Sequence, residues 1–171
     1  MPGPNIPTGG PTLLVLTPIS GADAPFLGPY SARGLTQTLQ PIFGSGNASG
    51  TLIRSDINGN LVDLTSLQFR KWELLVTCSD GTTPCLDGAW LGIVCSVECA
   101  AELAYPTGGY QSRPAVAGSL RTEGMITYYR PALTMTVMRI ENSFREYESV
   151  YNWSIRLEET YAPGPSTYAT T

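Results

Sequence analysis

Residues 91–105, LGIVCSVECAAELAY, constrain this chain more than any other stretch. From Ile93 onward every odd position is apolar: Ile93, Cys95, Val97, Cys99, Ala101, Leu103 and Tyr105. The even positions include Ser96, Glu98 and Glu102. Side chains on a strand point to alternate faces, so this period of two predicts one long half-buried strand over 93–105 with its odd positions inward. A helix would repeat its apolar positions at three and four residues instead.

The same alternation recurs along the chain. In Ser149–Glu159, Tyr151, Trp153, Ile155 and Leu157 face in while Asn152, Ser154, Arg156 and Glu158 face out. Arg70–Cys78 places Trp72, Leu74, Val76 and Cys78 on one side, and Leu133–Ile140 sets Leu133, Met135 and Val137 against Thr134 and Thr136. Leu35–Ile42 alternates up to Pro41, Gly124–Arg130 is a β-rich run, and Leu13–Thr17 reads as a short strand. Asn58-Gly59 supplies the positive φ angles of a tight turn, so Leu52–Leu64 reads as a hairpin. Glu141–Val150 comes nearest to a helix but lacks a steady apolar stripe. Residues 44–50, 79–88 and 106–119 read as loops.

Seven or eight strands with Gly/Pro-rich turns and no helix predict an all-β fold. The architecture is a single-domain antiparallel β-sandwich or a partly closed barrel. A length of 171 residues suits one domain, able to bury roughly 70% of the surface its unfolded form exposes. Residues 1–11 carry four prolines and three glycines, which exclude a helix or central strand and predict an extended N-terminal arm. A neighbouring subunit is the simplest thing to hold such an arm. The chain therefore divides into an arm and lead-in (1–29), a β domain (30–161) and a tail (162–171) in which Pro163 and Pro165 stop any strand.

Charge narrows the function classes. Only 14% of residues are charged, against about a quarter in ordinary globular domains, which suits a surface covered by partners. The formal net charge is −4, and no basic run exists, so a nucleic-acid footprint is absent. Without histidine, His-based triads, His-ligated metal and imidazole switching are excluded. Neither a signal peptide nor a membrane-length apolar run is present, which implies synthesis in a cytoplasm and no membrane partner.

Cys78, Cys85, Cys95 and Cys99 lack the close C-x2-C pairing of structural zinc sites. Cys95 and Cys99 on one strand would stand roughly 13 Å apart, too far for a disulfide. Two readings remain open: Cys78, Cys95 and Cys99 are small buried hydrophobes, or a disulfide forms in an oxidising medium, with Cys78–Cys85 the easiest pair.

Other constellations give little chemistry. Glu98 and Glu102, roughly 13 Å apart along a strand, are wider than a glycosidase pair. Glu158 and Glu159 point to opposite faces. Asp80, Asp87 and the 55–60 turn do not match a calcium loop. No nucleophile elbow, phosphate loop or dinucleotide motif occurs. The expectation is a non-enzymatic protein with no cofactor and no bound metal. Trp72 and Trp153 read as core, whereas Trp90 and Tyr110, in or near loops, are the candidate exposed contact residues.

Three groups of residues taken together, YSARGLTQTLQPI (30–42), VDL with LDGAW (62–64 and 86–90), and ELAYPTGG, RTEGMITYYRPALTM and WSIRLEE (within 102–159), resemble small virion structural proteins of tailed bacteriophages, particularly phages of alphaproteobacteria. The resemblance covers roughly residues 30–160; the GSGNASG loop and the cysteines at 85 and 95 stand outside it. It implies a non-enzymatic virion component whose partners are other particle proteins and copies of itself. Neck, tail or baseplate is favoured over capsid decoration. The alternative is a β-sandwich module that binds a glycan or another surface.

Overall fold

The structure is a computed structural model that describes residues 14–19, 35–42, 53–55, 57–63, 70–80 and 89–160. Among these residues the regular elements are all strands, in two larger antiparallel sheets and one hairpin that do not close into a barrel. The strands are β1 (Val15–Pro18), β2 (Thr36–Pro41), β3 (Ile53–Ser55), β4 (Leu61–Asp63), β5 (Trp72–Asp80), β6 (Val94–Glu98), β7 (Leu103–Pro106), β8 (Arg121–Glu123), β9 (Ile126–Tyr129), β10 (Ala132–Arg145) and β11 (Val150–Glu159). The main sheet has the order β1-β6-β10-β11-β5-β2 and the smaller one β7-β9-β8, while β3 and β4 form the hairpin expected around Asn58-Gly59. Gly59 sits at φ +83°, a conformation that costs a glycine little.

The long strand read over 93–105 is two strands. β6 ends at Glu98, residues 99–102 bend, and β7 then enters the smaller sheet. The cause lies across the ladder. β6 pairs with β10 and β7 pairs with β9, and β9 and β10 are themselves separated by Arg130-Pro131. Pro131 has no amide hydrogen to continue a ladder. Its carbonyl instead accepts the Cys99 amide at 3.1 Å, and residues 114–116 bond to Arg130 and Ala132 beside it. A paired double strand thus turns one corner together. Alternation survives the corner: Ile93, Cys95, Val97 and Cys99 are buried, and Leu103 and Tyr105 are less exposed than Glu102 and Ala104.

The core lies on one face of the main sheet. Leu74 and Val76 from β5, Cys95 and Val97 from β6, Met135 from β10, and Ile155 and Leu157 from β11 are all fully buried or nearly so. β1 belongs with them. Although residues 1–29 read as arm and lead-in, Val15–Pro18 pairs with β6, and Leu14 and Leu16 have no exposed surface. The 1–11 arm and the 162–171 tail lie outside the described residues.

Gln37 on edge strand β2 reaches across to the corner, where its Oε1 accepts the Ala100 and Ala101 amides at 2.9 Å each. Two amide donors on one oxygen fix the orientation of that side-chain amide.

β10 runs on to Arg145, into the stretch that came nearest to a helix, whose residues 146–149 form the turn to β11. The pairing with β11 shifts by one residue between Val137 and Arg139, a bulge at Met138. Beyond it the even positions take over the core-side face. Ile140 stands opposite Ile155, and Phe144 stacks on Tyr151 at 4.4 Å.

Trp153 is 3% exposed and Trp90 is 70% exposed. Trp153→Ala is expected to cost on the order of 3–5 kcal/mol, and Trp90→Ala well under half of that. Urea melts compared at constant m decide the order; equal losses would contradict the assignment of faces.

Candidate functional site: a buried clamp and the surfaces it supports

The most connected polar group in the interior was not singled out in the sequence. Arg113 lies in the β7–β8 connection, inside a stretch that reads only as loop. Its guanidinium donates in bidentate fashion to Glu159 at the end of β11, Nε to Oε1 at 2.6 Å and Nη2 to Oε2 at 2.9 Å. Nη2 also donates to the Arg70 carbonyl at 2.7 Å, and Nη1 to the Ser112 carbonyl at 2.8 Å. Glu159 Oε2 further accepts the Trp72 amide at 2.9 Å. Both side chains are buried, at 9% and 1% exposure. The period of two did place Glu159 on the inner face, opposite to Glu158. Its partner carries no periodic signal, because loop residues have none. Every atom of this cluster that could serve chemistry is already committed to holding the β7–β8 connection against β5 and β11.

Two thiols share this interior. Burial pushes the Cys95 thiol up to about 11. Burial, with a further contribution from the Glu159 carboxylate, pushes Cys99 up to about 12. Neither is a ready nucleophile, since the thiolate is the reactive form. Cys78 is also buried. Its expected pairing with Cys85 lies outside the described residues, as does Asp87.

The two carboxylates weighed as a pair are parted by the corner. Glu98 is exposed on β6, and Glu102 beyond the bend accepts from Arg121 at 2.9 Å. Arg121 sits between Glu102 and Glu123 and over the Tyr128 ring at 4.7 Å. Its guanidinium is held above its usual pKa, first by the Glu102 hydrogen bond and then by the Glu123 charge. Among the described residues no three Cys, Asp or Glu side chains gather in a way that would hold a metal ion.

The solvent face of the main sheet is polar. Glu73 and Glu158 stand directly opposite each other, and Arg156 bridges them, at 2.6 Å and 3.1 Å. Toward the far end of β10 and β11 this face forms an open hollow of about 1020 Å³. Thr36, Thr77, Ser79, Ser143, Asn152 and Ser154 line it with hydroxyl and amide groups, together with the Glu141 carboxylate.

Large apolar side chains are exposed at Ile19, Ile57, Phe144 and Tyr147 and, in addition, in two groups. Trp90, Leu91 and Met138 lie where β6 begins beside β10, joined through the Gly92 amide and the Val137 carbonyl at 2.8 Å. Tyr110, Leu120, Met125 and Ile126 lie around the smaller sheet, where the Thr107 amide reaches the Met125 carbonyl at 2.9 Å. The two residues singled out in the sequence, Trp90 and Tyr110, are thus both exposed, at 70% and 72%. Trp90 precedes β6 of the main sheet, and Tyr110 follows β7 of the smaller one. Their neighbours Met138 and Met125 were missed, because a single methionine at a bulge or a turn tip carries no pattern.

Comparison with protein-family models, with curated proteins and with solved structures gave no match.

Two outcomes follow from the buried groups. Arg113→Met should destabilise by about 3–5 kcal/mol, because it leaves the Glu159 carboxylate buried and unpaired; adding Glu159→Gln should recover part of that loss. Denaturant midpoints of the single and double variants measure it. Alkaline pH should also weaken the fold. Above the usual thiol value of 9.0 the unfolded chain releases protons that folded Cys95 and Cys99 retain. Stability therefore falls from about pH 9 up to the folded values, by roughly 1.4 kcal/mol per pH unit per thiol. Cys95→Ala/Cys99→Ala should flatten that slope, and an unchanged slope would mean that other groups control it.

Proposed function

We propose that the protein is a non-enzymatic structural subunit of a tailed-bacteriophage particle. It is made in the host cytoplasm and assembles with other virion proteins and with copies of itself, with the neck, tail or baseplate favoured over capsid decoration. The observation that carries this reading is the placement of large apolar side chains in two exposed groups on a β framework, around Trp90 and around Tyr110 and Met125. Contiguous exposed apolar surface marks contact with a partner, and aromatic residues and methionine are the types enriched in contact cores. The resemblance of residues 30–160 to virion structural proteins supplies the kind of assembly.

A second reading is favoured by one specific observation, the hydroxyl- and amide-rich lining of the hollow on the main sheet, with one carboxylate, Glu141, among it. Such a lining suits a polyhydroxylated ligand, and so a glycan-binding module. Binding of an oligosaccharide that is lost in Asn152→Ala would support it.

The main proposal is tested on purified particles of the phage that encodes the chain. Mass spectrometry should find the protein, and cryo-electron microscopy should show it in ring-symmetric copies; icosahedral copies would place it on the capsid instead. Trp90→Ser and Met125→Ser proteins should keep the wild-type melting transition yet be incorporated about tenfold less or worse, the scale of a lost interface anchor. Absence of the protein from particles overturns the proposal.

A further inference from the structure

β10 is covered unequally on its two edges. β11 accompanies it from Met135 to Arg145 on one side. On the other side β6 stops at Val137, whose amide and carbonyl bond to the Ile93 carbonyl and the Gly92 amide. From Met138 to Arg145 the second edge has no neighbouring strand among the described residues. An unpaired edge of this length is a template for another strand. Proteins usually blunt such an edge with a bulge and with charges, and both are here: the bulge at Met138 and the side chains of Arg139, Glu141 and Arg145. The spacing of those charges decides whether they repel a second copy or select one register for it.

We infer that the free edge of β10 pairs antiparallel with the same edge of a second copy, about a two-fold axis at Ser143. The register follows by comparing the axes from Ile140 to Phe144, of which the one at Phe144 sets Arg145 against Ser143 and Glu141 against Tyr147 and so matches no opposite charges. An axis at Glu141 sets that carboxylate against itself, and an axis at Asn142 sets Arg139 against Arg145, and like charges directly opposite are unfavourable. An axis at Ile140 pairs Arg139 with Glu141 but drives Ser143 of the second copy onto Val137, whose main-chain groups β6 already uses. An axis at Ser143 sets Glu141 opposite Arg145 twice, once on each side of the axis, and Asn142 opposite Phe144. All of these positions lie on the free edge. The same axis brings the turn after β10 of the second copy beside the remaining edge, with its Tyr147 opposite Arg139. Tyr147 is fully exposed in the single chain. The pairing is isologous and therefore closes as a dimer.

This inference does not depend on the virion proposal, because a purified chain either dimerises or does not. Sedimentation equilibrium of the full chain should show a dimer at micromolar concentration. Glu141→Arg and Arg145→Glu should each weaken it by about tenfold or more, since attraction becomes repulsion at two positions. The double variant Glu141→Arg/Arg145→Glu restores the complementarity and should restore the dimer, which a merely misfolded variant would not do. Ser143→Cys should cross-link as a dimer under mild oxidation, and Ser79→Cys, exposed on the same face but away from the edge, should not. A chain that stays monomeric up to about 100 µM, or a dimer that ignores both charge reversals, overturns the inference.

Discussion

Arg113 and Glu159 bury opposite charges where water can stabilise neither, and their bidentate contact ties the connection after β7 to the end of β11. An ion pair of this kind persists only if the remaining donors and acceptors are used as well. Here the Arg70 and Ser112 carbonyls and the Trp72 amide use them. The cluster therefore holds β5, β11 and the β7–β8 connection in one geometry. That geometry fixes where the smaller sheet leaves the main one. Gln37 performs a lesser version of the same task from β2, holding the corner itself by two amide hydrogen bonds. Its own Nε2 is buried with no partner among the described residues, a cost of about 1–3 kcal/mol for an unsatisfied group, and the two bonds at Oε1 offset it.

The faces of the strands were legible in the sequence, because a strand with one buried side must alternate. Leu74, Val76, Cys95, Val97, Trp153, Ile155 and Leu157 are all buried as their parity demands. Strand ends were less legible for the same reason. The run from Ile93 to Tyr105 keeps its period of two through the corner, so nothing in it signals that the chain changes sheets at residues 99–102. The signal lay on the partner strand, at Pro131, and the pairing that makes Pro131 relevant is not readable from either segment alone. Arg113 was illegible in another way. In PTGGYQSRPAVAGS it is one cation in a loop, and only the fold brings Glu159 to it.

β10 shows the limit of parity from a third side. Read without interruption, Leu133, Met135 and Val137 predict odd residues inward, and the pattern then collapses. One inserted residue at Met138 restores it on the even positions, because a shift of one moves every later side chain to the other face. Ile140 and Phe144 then meet Ile155 and Tyr151. Without the bulge those apolar side chains would join the polar face that carries Arg156, Ser154 and Asn152.

The bulge also bears on what surrounds the molecule. It sits beside the start of β6, so one residue separates the part of β10 paired on both sides from the part whose second edge has no neighbouring strand among the described residues. Met138 itself is half exposed there beside Trp90 and Leu91. A chain with few charges has few means of keeping such an edge and such a patch apart from other proteins. Arg139, Glu141 and Arg145 are therefore unusually informative about association. On a highly charged surface they would be three solvated side chains among many. Here, alternating along a free edge, they are the groups with which any neighbouring strand must agree.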